Sequence, residues 1–171
     1  MDSIRSKYSR WRYPVTFKEE INDGILKGIN DLHHQMSKKG SWQCFETLAG
    51  TSDEWVTAFI GSCLASLEIN KASELAERAY SFLCGRRFLS AGWGFNKIVP
   101  PDADSTAWVI RLGECLQKPL TRKYKRGIAF LQKHAYPSGG IATYRNEGPI
   151  RLFTALKKMF PLRVGAVRIP V

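Results

Sequence analysis

The sequence lacks a long apolar run. None approaches the ~20 residues that a membrane-spanning helix needs. The segment Met1 to Arg12 is polar and charged, where a secretory signal would carry an apolar core. A soluble, cytoplasmic protein is the expectation. Cysteine pairing is also missing. Cys44, Cys63, Cys84 and Cys115 form no C-x-x-C pair, and His33, His34 and His134 give no ligand spacing with them. No metal centre is therefore expected. Each cysteine lies in an apolar stretch, which predicts buried, reduced thiols. Zinc-finger spacings and an RNP-like aromatic strand are absent too, so no specific nucleic-acid reader is expected.

Acid is scarce in one place only. From Met1 to Gln117 there are 14 Lys/Arg and 14 Asp/Glu. From Lys118 to Val171 there are 12 Lys/Arg against the single acid Glu147, so the whole formal charge of +11 lies there. A surface of that kind attracts phosphate, anionic lipid or nucleic acid, or is simply a solvated helix face with a basic tail.

The 171 residues are enough for one domain with its own core. The expected layout is a single α/α domain over 1–171, with a polar N-terminal segment at 1–14 and an irregular C-terminal tail at 161–171. The chain compares well with itself. Aligning Trp42 with Trp93, an offset of 51, brings Gly40-Ser41-Trp42 onto Ala91-Gly92-Trp93, Gly28 onto Ala79 and Asp53 onto Asp104. A third copy follows at an offset of 48, with Gly127 at the position of Ala79 and Gly139-Gly140-Ile141 at that of Ala91-Gly92-Trp93. Each copy reads as a helix, a Gly/aromatic loop and a second helix. A period of this size marks helical-hairpin repeats, and no significant sheet is expected. Small residues at Gly28, Ala79 and Gly127 would let two helices approach closely.

Helices are expected from Thr16 to Met36, with Ile21, Ile25, Ile29 and Leu32 at helical spacing, and after Ser52, an N-cap, with Asp53 and Glu54 in the first turn. In that second helix Trp55, Ala58, Phe59, Ser62 and Cys63 form an apolar or small stripe. Further helices are expected from Ala72 to Leu89, from Asp102 to Gln117 with Pro119 as the stop, and from Thr121 to Ala135. A short basic one follows from Pro149 to Phe160.

Candidate chemistry concentrates between Gly92 and Trp108. Gly92-Trp93-Gly94-Phe95 precedes Pro100-Pro101-Asp102-Ala103-Asp104-Ser105-Thr106-Ala107-Trp108. Two carboxylates two apart, at a helix start and among aromatics, suit proton chemistry on an apolar substrate. The same pattern is also a strong helix start, with Asp102 as N-cap and Asp104 in the first turn, and Asp53 fills that role in the first copy.

The repeat, its tryptophan loop and the D-x-D-S-T helix start resemble the terpene cyclase and prenyltransferase–squalene cyclase repeat family. The resemblance implies an all-α fold, an α/α toroid of helical hairpins around an apolar cavity. The specific motif covers the seventeen positions from Gly92 to Trp108, and the weaker repeat most of Ile25 to Tyr144. In class II members the middle aspartate of such a motif protonates an alkene or epoxide, so Asp104 matches the general acid and Asp102 the first aspartate. Asp102, Ser105 and Thr106 would orient the acid's proton, and Trp93, Phe95, Trp108 and Trp55 would wall the cavity and stabilise a carbocation. The implied reaction is cyclisation of a linear isoprenoid, such as a C15 or C20 prenyl diphosphate, an isomerase chemistry. Mg²⁺ would accompany a diphosphate, which Arg86-Arg87 and the basic C-terminal third would hold.

Three departures stand beside the match. The glutamine that usually precedes the family's tryptophan is absent. The third copy has no acid-started helix. A toroid holds more helices than are visible, which fits a short or truncated member or a partial barrel completed by a homodimer. The reading from another class is a non-catalytic helical module that binds lipid, a peripheral anionic membrane or a protein partner through the basic C-terminal third. A protein prenyltransferase subunit fits poorly, since its zinc ligands are not recognisable.

Overall fold

The computed structural model describes residues 15–86 and 91–145. The expected segments 1–14 and 161–171, and the basic helix from Pro149 to Phe160, lie outside the described residues. Two compact units are present, one holding the first helix and the other beginning at Met36. In the first unit, α1 spans Val15–Gln35. Of its expected stripe only Ile29 is buried, while Ile21 and Ile25 are exposed. Among the described residues nothing lies within 4 Å of where a Cβ on Gly28 would sit.

The second unit runs β1 (Cys44–Thr47), β2 (Gly50–Ser52), α2 (Glu54–Ala65), α3 (Asn70–Gly85), α4 (Ala103–Cys115) and α5 (Arg122–His134). Helix α2 packs on both α3 and α4, and α5 on α4. The spacing of α3 shows why. Ala72, Leu75, Ala76, Ala79, Tyr80 and Leu83 are all buried and fall on one face. Burying a Leu75 or a Leu83 contributes roughly 1.5–3 kcal/mol each. Ala79 and Gly127 do fulfil the expectation of small residues. A Cβ on Gly61 would come within 3.2 Å of the Ala79 Cβ and 2.9 Å of Leu112, and one on Gly127 within 3.0 Å of Trp93 and 3.1 Å of Ile110.

The repeat has a hydrogen-bond signature. In the first copy Thr57 Oγ1 accepts from the Trp42 backbone N–H at 3.0 Å and donates to the Trp42 carbonyl at 3.3 Å. In the second, Thr106 Oγ1 accepts from Trp93 N at 3.0 Å and donates to Trp93 O at 3.1 Å. Each tryptophan is thus clasped by a buried threonine in the first turn of the next helix. The clasp also corrects the register. Trp42 and Thr57 are 15 residues apart, and Trp93 and Thr106 only 13. At the helix starts the true offset is therefore 49, which pairs Asp53 with Asp102 as N-cap residues and Trp55, not Asp53, with Asp104.

The hairpin that takes up the extra length overturns the expectation of no sheet. β1 and β2 pair antiparallel, with a bulge between Cys44 and Glu46 and a turn completed by Gly50 at φ +94°. No Asn-Gly or Asp-Gly dipeptide announces it. The cysteines depart from expectation as well. All four are free, but exposed rather than buried. On α2 and α3 the helical period places Cys63 beside buried Ser62 and Leu64, and Cys84 beside buried Leu83, on the outward positions.

Asp53 does not cap α2 with its side chain. Ser52 does so, its Oγ accepting from Val56 N at 3.2 Å. Asp53 instead pairs with Arg86 at 2.7 Å, and Arg86 also faces the fully buried Glu54 at 3.3 Å. Glu54 Oε2 accepts from Gly94 N at 3.1 Å, which ties the tryptophan loop to α2. Lys123 on α5 donates to the carbonyls of Cys84 and Arg86 at the end of α3 and lies 5.0 Å from the centre of the Trp93 ring. A cation at a helix C-terminus satisfies carbonyls that have no partner within the helix. Together these bonds fix the loop that precedes the two aspartates.

Candidate functional site

Asp102 and Asp104 sit two apart at the start of α4 and have different surroundings. Asp102 is buried. Its Oδ1 accepts from Ser105 N at 2.7 Å and its Oδ2 from Ser105 Oγ at 2.8 Å, while its own N–H donates to Trp93 O at 2.9 Å. That is an N-cap doubled by a side-chain bond. Asp104, one turn position further, is exposed, and Trp55 Nε1 donates to its Oδ2 at 2.6 Å. Among the described residues no hydrogen bond reaches its other oxygen.

Asp104 lies where two hollows meet. One, of about 510 Å³, is lined by Phe45, Trp55, Phe95, Val99, Thr143 and Tyr144 together with Asp102, Asp104 and Ser105. The other, of about 450 Å³, lies along α4 and is lined by Asp104, Trp108, Ile110, Arg111, Glu114 and Leu131. Both fall in the size range of small-molecule sites. A row of rings connects them. Phe45 meets Trp55 edge-on at 5.4 Å, Trp55 stacks on Phe59 at 5.7 Å, and Phe59 meets Trp108 edge-on at 4.9 Å. Repeat geometry explains the row. With the corrected offset, Trp55 matches Asp104 and Phe59 matches Trp108, so equivalent positions of neighbouring repeats touch at each turn.

Of the residues named from sequence, Asp104, Asp102, Ser105, Trp55, Phe95 and Trp108 border these hollows. Trp93 does not. It is buried, its Nε1 donating to Leu83 O at 2.8 Å, and it serves the core. Thr106 is also fully buried and is the clasp on Trp93, so neither Ser105 nor Thr106 is hydrogen-bonded to Asp104. Phe45, Phe59, Val99, Thr143 and Tyr144 were not singled out as site residues. Phe59 follows Trp55 at helical spacing, a signal that could have found it. Phe45 comes from the hairpin strand β1, and Val99, Thr143 and Tyr144 come from loops. Asn96, buried, holds the hairpin and Val99 by donating to Ala49 O at 2.9 Å and Thr51 O at 3.1 Å and accepting from Val99 N at 3.1 Å. Thr143 reaches α4 through its carbonyl, which accepts from Ala103 N at 3.0 Å.

The two carboxylates take separate partners, and among the described residues no group of three or more His, Cys, Asp or Glu is placed to hold a metal ion.

Solved structures share this fold. The type II terpene cyclase MstE from Scytonema matches 79% of the chain at 31% identity, with a TM-score of 0.72. The chain belongs to the terpene cyclase repeat family. It spans about 40% of the length of MstE. A protein from Actinoplanes covers 78% of the chain at 28% identity and a TM-score of 0.73, the match taking in 40% of its own length. An aspartate-to-asparagine variant of MstE, in complex with its substrate geranylgeranyl dihydroxybenzoate, covers 79% at 30% identity and a TM-score of 0.72. The match covers 39% of that variant's length. Neither a family model nor a curated relative matches the chain. No helix among the described residues is long and apolar enough to cross a membrane.

The capping role of Asp102 has a measurable consequence. Asp102→Ala removes both bonds to Ser105 and leaves a buried hydroxyl without its partner. A loss of about 2–4 kcal/mol is expected, lowering the melting temperature by roughly 5–15 °C. Thermal unfolding of the variant checks this. An unchanged melting temperature with lost turnover would give Asp102 a chemical role instead.

Proposed function

We propose that the chain carries the acid half of a protonation-initiated cyclisation of a linear prenylated substrate, with Asp104 as general acid. The observation that supports this best is the position of Asp104, an acid whose one oxygen is held by an indole N–H while the other has no hydrogen bond among the described residues, at the junction of two hollows and beside a row of aromatic rings. The reaction balances within one molecule. Asp104 gives its proton to an alkene carbon, the carbocation is attacked by the next double bond to close a ring, and a proton finally leaves to solvent or base. The product is an isomer of the substrate. An aspartate-to-asparagine variant of MstE is solved in complex with its substrate. Prenyl diphosphates of C15 or C20 length and prenylated aromatic acids are the substrates to try first.

Trp55 positions the acid. Its bond fixes the carboxyl plane and stays in place as negative charge develops on the oxygens. The ring faces of Trp55, Phe45, Phe59 and Trp108 offer cation–π stabilisation without a nucleophile that would trap the cation. Trp55→Phe keeps the aromatic wall and removes the donor, so kcat should fall about 10–100-fold with little change in KM or in melting temperature. An unchanged kcat would remove Trp55 from the mechanism.

A carbocation also needs the exposed side of Asp104 to be covered. A second copy of the chain is the cover this reading adopts. Solution mass measured under turnover conditions checks it. A dimer supports the reading, and a turning-over monomer contradicts it.

A further inference from the structure

Helix α5 carries a surface the cyclisation chemistry does not use. Arg122, Lys125, Arg126, Ala129, Gln132 and Lys133 recur at three- and four-residue spacing, share one face and are all exposed. The opposite face is the packed one. There Tyr124 and Gly127 are buried, and Tyr124 donates to Ile110 O on α4 at 2.9 Å. The outward strip thus holds four cations. From Lys118 to Val171 the chain contains one acid, Glu147, against 12 Lys/Arg. Exposed apolar side chains flank it in sequence. Leu120 is 59% exposed before the helix, and Tyr136 and Ile141 are 50% and 69% exposed after it.

We propose that this face docks the protein on an anionic lipid bilayer. Charge complementarity selects the partner, since clustered lysines and arginines on an amphipathic helix are attracted to acidic headgroups. The apolar flanks distinguish a bilayer from a nucleic acid. A duplex or single strand rewards the cations alone, whereas a bilayer also takes up leucine, isoleucine and tyrosine side chains at its interface. The surface is separate from Asp104, so the inference does not depend on the cyclase reading.

The test is co-flotation of the purified chain with vesicles of phosphatidylcholine containing about one-third phosphatidylserine, against phosphatidylcholine alone. Binding is expected only to the anionic vesicles and should weaken in high salt. The combined variant Arg122→Glu, Lys125→Glu and Lys133→Glu should bind at least about 100-fold more weakly. The control Lys97→Glu, an exposed cation elsewhere, should bind normally, as should Asp104→Asn. Leu120→Ser with Ile141→Ser should weaken vesicle binding about tenfold and leave heparin binding unchanged. Circular dichroism of each variant confirms that the fold is kept. Vesicle binding that survives the charge reversal overturns the proposal. So does an equal loss of heparin and vesicle binding in the serine variant, or binding to a nucleic-acid homopolymer as tight as that to vesicles, which would make the face a general polyanion site.

Discussion

Asp104→Asn is expected to lower turnover by about 10³-fold or more while the melting temperature moves by less than about 2 °C. The two halves of that expectation come from different atoms. An asparagine side-chain oxygen still accepts the Trp55 N–H, so that hydrogen bond is preserved. The side chain is exposed, so no buried group loses its partner. What disappears is the transferable proton. Steady-state turnover and a thermal melt on the same preparation check both halves. A large fall in stability would mean that Asp104 is part of the helix start rather than the chemistry.

The second large effect is on stability. Arg86→Ala should cost about 3–5 kcal/mol, because it removes a guanidinium 3.3 Å from the fully buried carboxylate of Glu54. The ion pair with Asp53 and the contact 5.1 Å over the Phe82 ring are lost at the same time. The damage should spread to the site, since Glu54 holds Gly94 and Gly94 is followed by Phe95, which lines the larger hollow. Urea unfolding gives the loss directly. The variant Arg86→Ala with Glu54→Gln also removes the buried negative charge and should recover part of the stability. No recovery would mean that the guanidinium packs rather than pairs.

The helices were largely legible because their signals are local. The start of α4 follows from Pro-Pro-Asp-x-Asp-Ser-Thr, and the helix observed, Ala103–Cys115, lies inside the expected Asp102 to Gln117. The third-to-fourth residue spacing of α3 needed no tertiary information. The pairing of the repeats was read with an error of two residues, because one fixed offset was carried from Trp42 to Asp53 across a loop that contains a hairpin. Loop length varies independently of the elements it joins, and only the two Thr–Trp clasps reveal the slip.

The candidate site shows the same division. Asp104 and Trp108 lie on one helix and were visible together. Trp55 was visible as an aromatic, but its bond to Asp104 spans 49 residues and no local pattern encodes it. The Asp53–Arg86 pair spans 33 residues. Thr143 and Tyr144 reach the hollow because the Gly139 turn, at φ +88°, brings the chain back to α4. Composition does not separate a core tryptophan from one that borders a hollow, and here Trp93 is buried in the core while Trp55 and Trp108 border the hollows.

The most direct test of the account is mass spectrometry of products formed in D₂O. The chain would be incubated with geranylgeranyl dihydroxybenzoate, with farnesyl and geranylgeranyl diphosphate, and with squalene. Proton transfer from Asp104, whose proton exchanges with solvent, predicts a cyclised product with the mass of its substrate in H₂O and one deuterium in D₂O. It should be absent with Asp104→Asn. A product without deuterium, a product still made by Asp104→Asn, or no product from any of these substrates would contradict the account.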